Sequence, residues 1–209
     1  MGTINISRPA GVILAGGRSS RMGQGHKALL ELNGRSLLSR VIDRLKAHVD
    51  PLMLSCACDT EQFEGFGLAL VPDLLPGYHG PLMGLYSALR YLADTGRNSG
   101  LVLCPCDAPF IPKNLVQVLQ EAAQGEKKPV VVISFQGELQ PTFSLWQNQH
   151  LPMIHDAVAN KGRGGLKHLL VSLPHKILEW KFVEPSPFFN VNTPQDLKNA
   201  GLWLDRLHT

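Results

Sequence analysis

Gly11-Val12-Ile13-Leu14-Ala15-Gly16-Gly17-Arg18-Ser19-Ser20-Arg21-Met22-Gly23, with Lys27 four residues on, is the stretch from which the rest of the chain can be read. Val12 to Ala15 is apolar, too short for a helix and ends in paired glycines, so it reads as a buried strand running into a loop. Two arginines and a lysine then follow within eleven residues. Glycines let a main chain approach a polyphosphate and point its N–H groups at the oxygens, and nearby cationic side chains neutralise the remaining charge. The stretch has the composition of a phosphate cradle.

The 209 residues allow one domain, expected to span 1–209, and their 44% hydrophobic and 18% charged content predicts an ordinary packed core. The net charge of +3 gathers in no basic run or tail, which argues against nucleic acid as a partner. No apolar stretch reaches the roughly 18 to 20 residues of a membrane helix, and Met1 to Ala10 lacks an apolar signal core. Cys56/Cys58 and Cys104/Cys106 are spaced C-x-C within or at the end of apolar runs, where zinc sites favour C-x-x-C; buried reduced thiols are expected. Together these predict a cytoplasmic protein with no membrane partner.

Further along, Asn33-Gly34 signals a turn, and Ser36 can cap a helix whose Leu37, Leu38, Val41, Ile42 and Leu45 recur at helical spacing. Leu52 to Ala57 and Leu68 to Val71 read as strands, separated by a polar segment, Asp59 to Gly67. A loop punctuated by Pro72, Pro76, Gly77, Gly80 and Pro81 leads to a helix with Pro81 as its first residue and Gly96 as its stop. Leu101 to Cys104 is a fourth strand, and Pro112 to about Ala123 a helix. Pro129 to Phe135 and Pro141 to Trp146 are strands, antiparallel across a Gln136-Gly137-Glu138 turn. Helical pattern returns from about His150 to Asn160 and again before Leu173, with a strand at Ile177 to Phe182 and a last helix at Gln195 to Leu207, capped by Thr193 with Pro194 at its first position. Strand and helix alternate through the first two thirds, which predicts an α/β domain around a mostly parallel sheet. Ligands bind such sheets beyond the carboxyl ends of the strands, so the loops after Ala15, Ala57, Val71 and Cys104 share one edge.

Neither familiar phosphate motif fits. His26 separates Gly25 from Lys27, which breaks a Walker loop, and the G-x-G-x-x-A match at Gly23 to Ala28 begins eight residues past the strand instead of directly after it. Leu14-Ala15-Gly16-Gly17 with Arg21-Met22-Gly23 and Lys27 instead resembles the L-A-G-G-x-x-x-R-M-G-x-x-K signature of GT-A-like, Rossmann-related nucleotidyltransferases. Gly80-Pro81-Leu82-x-Gly84, Pro105-Cys106-Asp107-Ala108-Pro109-Phe110 and Asn190-Val191-Asn192-Thr193-Pro194 follow in order. Together they are similar to the molybdenum cofactor guanylyltransferase family, over essentially the whole chain.

The resemblance implies a Rossmann-like three-layer sandwich, with a nucleotide-binding half at about 10–125 and an acceptor-binding half at about 126–209. It implies Mg²⁺-dependent transfer of GMP from GTP to the phosphate of molybdopterin, with pyrophosphate released. GTP, molybdopterin and other proteins that make or deliver the molybdenum cofactor would be its partners. Relatives using CTP or a sugar-phosphate acceptor, and a nucleotide-binding regulatory module without catalysis, are the competing readings.

Asp107 follows a buried strand where triphosphate oxygens would lie and can hold Mg²⁺, which takes one or two carboxylates; the other role for such a residue is a helix cap. Arg21 and Lys27 are the expected catalytic cations beside it, with a solvated loop as the alternative. Leu14, Ala15, Gly16 and Gly17 complete the nucleotide cradle. Asp73 is either a base and ribose contact or a turn residue beside Pro72; the resemblance implies that it contacts the guanine nucleotide. Ser55 stands where the family commonly has Asn, keeping a hydrogen-bonding group but no amide. Gly80, Gly84, Asn190 and Asn192 are expected on the acceptor side; the two asparagines lie two apart, so an extended segment turns both to one face, to orient phosphate or pterin or to brace the last helix. Lys161 to Gly165 is either a contact for the anionic pterin or a linker. The histidines are not spaced as a metal cluster.

Overall fold

The computed structural model describes residues 8–16, 26–57, 60–75, 80–97, 99–125, 129–161 and 165–207. Strand β1 (Ala10–Leu14) is followed by a 3-10 turn at Lys27–Leu29, a hairpin of β2 (Glu31–Leu32) and β3 (Arg35–Ser36), and helix α1 (Leu37–Leu45). Then come β4 (Leu52–Cys56), β5 (Ala69–Pro72), α2 (Pro81–Asp94), β6 (Leu101–Pro105) and α3 (Leu115–Ala122). The remainder is β7 (Val130–Phe135), β8 (Glu138–Trp146), α4 (Leu151–Asp156) with a π-helical continuation at Ala157–Lys161, α5 (Gly165–Val171), β9 (His175–Trp180) and α6 (Pro194–Leu207).

Seven strands form one sheet in the order β5-β4-β1-β6-β8-β7-β9. Pairing is parallel from β5 to β6 and between β7 and β9; β8 alone runs antiparallel to its neighbours β6 and β7. Both faces are covered, which is why the strands read as unbroken apolar runs. Ile13, Leu54, Val102 and Cys104 face one side with Leu38, Val41 and Leu45 of α1 and Leu115 and Leu119 of α3. Val12, Met53, Leu101, Leu103 and Val132 face the other, against Leu82, Leu85 and Leu89 of α2 and Leu166, Leu169 and Leu170 of α5. This is the expected three-layer sandwich. A third cluster joins Leu32 and Leu37 to Phe110, Val191, Ala200 and Leu204, so α6 returns to the hairpin that follows the phosphate loop.

Local chemistry explains the boundaries. Asn33 and Gly34 both have positive φ, 48° and 71°, as the tightest hairpin turns require. Ser36 accepts a hydrogen bond from the Ser39 N–H and caps α1. Several expected bounds shift. The helix expected from Pro112 begins at Leu115, after an N-cap residue, Asn114. Thr60–Phe66 forms a 3-10 helix where only a polar connection was expected, anchored by the fully buried Phe63. Glu138, expected in a turn, already pairs with Phe135, because Gln136 and Gly137 at φ 54° and 76° close the hairpin alone. The ninth strand lies two residues earlier than expected, from His175 to Trp180, because its register with Val130–Phe135 sets its length.

Candidate active site

A cleft of about 320 Å³ opens at the carboxyl edge of the parallel strands. Leu14, Ala15 and Gly16 reach it from β1, Ser55 from β4, Asp73 from the end of β5, Gly80 and Gly84 from α2, Asp107 from beyond β6, and Lys27, Asn190 and Asn192 from connecting segments. Every described residue of the expected catalytic, nucleotide and acceptor sets therefore lines one cavity, whereas Gly165 of the Lys161 to Gly165 link is not among the lining residues. Gly17 and Arg21, with Arg18 and the Lys161 to Gly165 link from Gly162 to Gly164, lie outside the described residues.

The cleft is centred on Lys27. Its ammonium donates to Asp107 Oδ2 and, at 2.6 Å, to Asn192 Oδ1. The Lys27 and Asp107 side chains are 16% and 14% exposed, so the pair is shielded yet open to the cavity. Residues 80 and 165 positions apart along the chain meet here. Backbone bonds hold their geometry: Ala15 N–H donates to the Ser55 carbonyl, Cys106 N–H to the Leu14 carbonyl and Val191 N–H to the Asp107 carbonyl. The last of these ties the Asn190 to Asn192 segment directly to the residue after β6. Asp107 is thus part of the charged centre, which favours its expected chemical role over that of a helix cap.

Asn192 helps to brace the last helix and also joins the charged centre. Its side chain accepts from Lys27, while its backbone N–H and that of Thr193 donate to Asp196 Oδ2 at 2.9 and 2.8 Å. Thr193 Oγ1 in turn accepts from Asp196 N–H, a reciprocal cap that fixes the start of α6. Asn190 differs: its Oδ1 is buried and accepts no hydrogen bond from the described residues, and the same holds for Asp107 Oδ1. Unpaired buried oxygens cost free energy unless a donor or cation arrives, and these two belong to residues that line the cleft.

On the other side of the cleft, Gly80 takes φ 58° and ψ −147°, a conformation essentially restricted to glycine, as it leads into α2. Gly84 sits one turn on, buried against β1 and β4. A Cβ there would lie 2.4 Å from Leu14 Cδ2 and 2.6 Å from Ser55 Oγ. Its smallness lets the helix approach the strand ends that form the cleft floor. Ser87 Oγ accepts from Leu74 N–H at 3.2 Å and so pins the chain beside Asp73 to the same helix.

Cys56, Cys104 and Cys106 are buried free thiols, as expected. Burial pushes the Cys104 thiol far up; Cys106 is pushed up by burial and by the neighbouring Asp107 carboxylate, against the opposing pull of Lys27. Cys106, although it lines the cleft, stays a neutral thiol and is no nucleophile there. Among the described residues no group of three or more His, Cys, Asp and Glu side chains could by itself hold a metal ion. A cation at this site would rest on Asp107, neutral oxygens and oxygens brought by a substrate, the ligand set that suits a hard divalent cation and not zinc.

Residues 11–177 match the family described as the MobA-like NTP transferase domain. The chain belongs to the MobA-like NTP transferase family. Within reach of it, the molybdenum cofactor guanylyltransferase of Rhodopseudomonas palustris (strain BisB5) is 36% identical over 190 residues, 90% of either chain. The solved structure of molybdopterin-guanine dinucleotide biosynthesis protein A from Archaeoglobus fulgidus has the same fold, with a TM-score of 0.75 at 22% identity over 94% of this chain and 99% of that one. A Mycobacterium tuberculosis H37Rv protein solved as a manganese complex shares it at a TM-score of 0.70 and 18% identity, over 94% of this chain and 98% of that one. In this MobA-like chain four further residues line the cleft. Pro81, Pro105 and Cys106 lie inside motifs already quoted. Thr142 does not, and the one sequence signal that could have found it is Pro141, since proline inside a strand marks an edge or a bulge. No helix among the described residues is long and apolar enough to cross a membrane.

Proposed function

We propose that this chain transfers GMP from GTP to the phosphate of molybdopterin, releasing pyrophosphate and forming the guanine dinucleotide form of the cofactor. The observation that carries the reading is the Lys27 ammonium held between Asp107 and Asn192 at the carboxyl edge of the sheet. It stands in a chain whose curated relative over nine tenths of its length is named for guanylyl transfer. The attacking oxygen belongs to an already ionised phosphate, so no strong general base is needed. Positioning and charge neutralisation supply the acceleration, as in phosphoryl transfer generally.

Residues of about 10–125 serve the nucleotide. Ser55 and Asp73 face the base and ribose, and the main chain of Leu14 to Gly16 lies along the phosphates; Gly17 is proposed as a further nucleotide contact and Arg21 as a catalytic cation. Lys27 exchanges Asp107 for the triphosphate when the nucleotide enters. Residues of about 126–209, with Gly80 and Gly84, serve the acceptor, and Asn190 and Asn192 orient its phosphate. Asp107 holds a divalent cation, with Mg²⁺ proposed; its buried free oxygen suits a hard ion, and the manganese of the M. tuberculosis neighbour supports a divalent one. When bound, that ion supplies charge neutralisation on the phosphates. The product would pass to proteins that deliver the cofactor in the cytoplasm.

The test measures pyrophosphate release with Mg²⁺ and each of GTP, CTP, ATP and UTP, with and without molybdopterin. Release only with GTP and molybdopterin together is expected, and Asp107→Ala should abolish it while the unfolding transition remains cooperative. Release with CTP in place of GTP, or undiminished release by Asp107→Ala, would overturn the assignment.

A further inference from the structure

The cleft can be read strand by strand. Along the sheet order β5-β4-β1-β6-β8, its lining residues are Asp73, Ser55, Ala15 and Gly16, Asp107, and then Thr142. Neighbouring strands lie about 4.8 Å apart, so the three steps from β5 to β6 cover roughly 14 Å, room for a nucleoside followed by its phosphates. With the charged centre at Asp107 and Lys27, the next step outward along the sheet is β8. A group attacking the α-phosphorus in line with the departing pyrophosphate must come from a side the nucleotide leaves open; with the nucleotide laid along β5 to β6 as proposed, Thr142 on β8 would stand on that side.

The backbone delivers Thr142 there by a specific device. β7 and β8 pair Val132 with Ser144 and then Ile133 with Gln140, so Pro141, Thr142 and Phe143 have no partner on β7. Pairing with β6 ends at Leu103 and Ser144, although β6 runs on to Pro105. Thr142 thus lies outside both ladders. Bulges of this kind re-aim a side chain beside a site. This one is braced from below: Ser144 Oγ donates to the Pro141 carbonyl at 2.7 Å, and Trp146 Nε1 donates to Ser144 Oγ at 2.7 Å. Ser144, Trp146 and Phe143 are fully buried. Phe143 turns into the core and Thr142 into the cleft, where its hydroxyl hydrogen-bonds to no other described residue.

We infer that Thr142 is a positioning residue for the acceptor: its hydroxyl donates to a non-attacking oxygen of the acceptor's phosphate monoester and aims a second oxygen at the α-phosphorus. The inference rests on the guanylyl-transfer reading above. In the step it serves, an acceptor phosphate oxygen forms a bond to the α-phosphorus. The bond from that phosphorus to the α,β-bridging oxygen breaks, and pyrophosphate leaves with the electron pair. Thr142 gives up no proton; it holds one in a hydrogen bond throughout. Asn190, whose buried oxygen accepts from no described residue, cannot replace it with that oxygen, which only accepts.

The experiment compares wild type, Thr142→Val, which keeps the shape and removes the hydroxyl, and Thr142→Ser, which restores it. Pyrophosphate release is measured against molybdopterin concentration at saturating Mg²⁺ and GTP, and GTP affinity is measured separately by equilibrium titration without acceptor. A hydrogen bond to a charged group predicts that Thr142→Val loses roughly 10- to 100-fold in kcat/KM for molybdopterin. Its GTP affinity should stay within about twofold of wild type, which also shows that the variant folds, and Thr142→Ser should recover most of the loss. An equal loss of GTP affinity would assign Thr142 to the nucleotide and overturn the inference, as would unchanged kcat/KM in Thr142→Val or an equally impaired Thr142→Ser. A wild-type protein that releases no pyrophosphate with GTP and molybdopterin overturns the guanylyl-transfer reading and this inference together.

Discussion

Gly84→Ala should destabilise this protein even though the residue lies inside α2, where alanine is the better helix former. At an exposed position the change would gain about 1 kcal/mol. Here the added Cβ meets Leu14 Cδ2 at 2.4 Å, Ser55 Oγ at 2.6 Å and Ser55 Cβ at 3.2 Å. The leucine methyl and the serine hydroxyl can rotate aside, but Ser55 Cβ is held by the backbone of β4, which pairs on both sides. The helix must back away, and overpacking of this kind costs about 1 to 3 kcal/mol. Set against the propensity gain, the net loss is about 1 kcal/mol. Because Leu14, Ser55 and Gly84 all line the cleft, nucleotide binding should suffer along with stability. Urea unfolding reads the first as a lower midpoint at unchanged slope, and equilibrium titration with GTP reads the second. Ser55→Ala in the same background removes one of the two close contacts and should recover part of the stability, with a coupling of about 0.5 kcal/mol or more. A Gly84→Ala protein that is more stable by about 1 kcal/mol and binds GTP normally would refute the close-approach argument.

Lys27→Met removes the ammonium and leaves Asp107 without its cation. Both groups border an open cleft, so water can replace the lost partner and unfolding stability should fall by only about 1 kcal/mol, whereas turnover should fall by about 10²- to 10³-fold. Parallel urea and pyrophosphate measurements separate the two, and a variant that loses stability but keeps turnover would remove Lys27 from the chemistry. Burial lowers the pKa of the His150 imidazole from its ordinary 6.5, and the Gln147 backbone N–H donates to Nδ1 of the neutral ring. The folded value lies below the unfolded one, so this contribution is fully present above pH about 6.5; it is lost as pH falls through the folded value, because the unfolded chain takes up a proton that the folded ring resists. Urea midpoints at pH about 8 and about 5.5 should differ less in His150→Gln than in wild type, and an identical difference would refute it.

Much of this site was legible because its parts are local. A strand running out into Gly16, the Pro81 start of α2, the strand before Asp107 and the Thr193 cap of α6 each announce themselves within a few residues, since turns, caps and strand ends follow from short-range sterics and hydrogen bonding. The carboxyl-edge rule then places the loops of parallel strands together without any knowledge of their pairing. Burial on both sheet faces was legible too, since unbroken runs such as Leu101 to Cys104 require it.

Determined by the sequence alone, then, were the parallel α/β class, the order of its motifs and the residue types of the phosphate-binding edge. Only the tertiary structure decided that Lys27 meets Asp107 and Asn192, that Gly84 matters through the contacts an alanine would make, and that an antiparallel β8 brings Thr142 to the wall. The physical reason is range. Each of those facts depends on a partner tens of residues away or on a register shift between strands, and neither leaves a pattern in any short window of the chain. The glycine-rich stretch after β1 points to a phosphate ligand through its composition alone; the charged centre of Lys27, Asp107 and Asn192 exists only once β1, β6 and the segment before α6 are packed together.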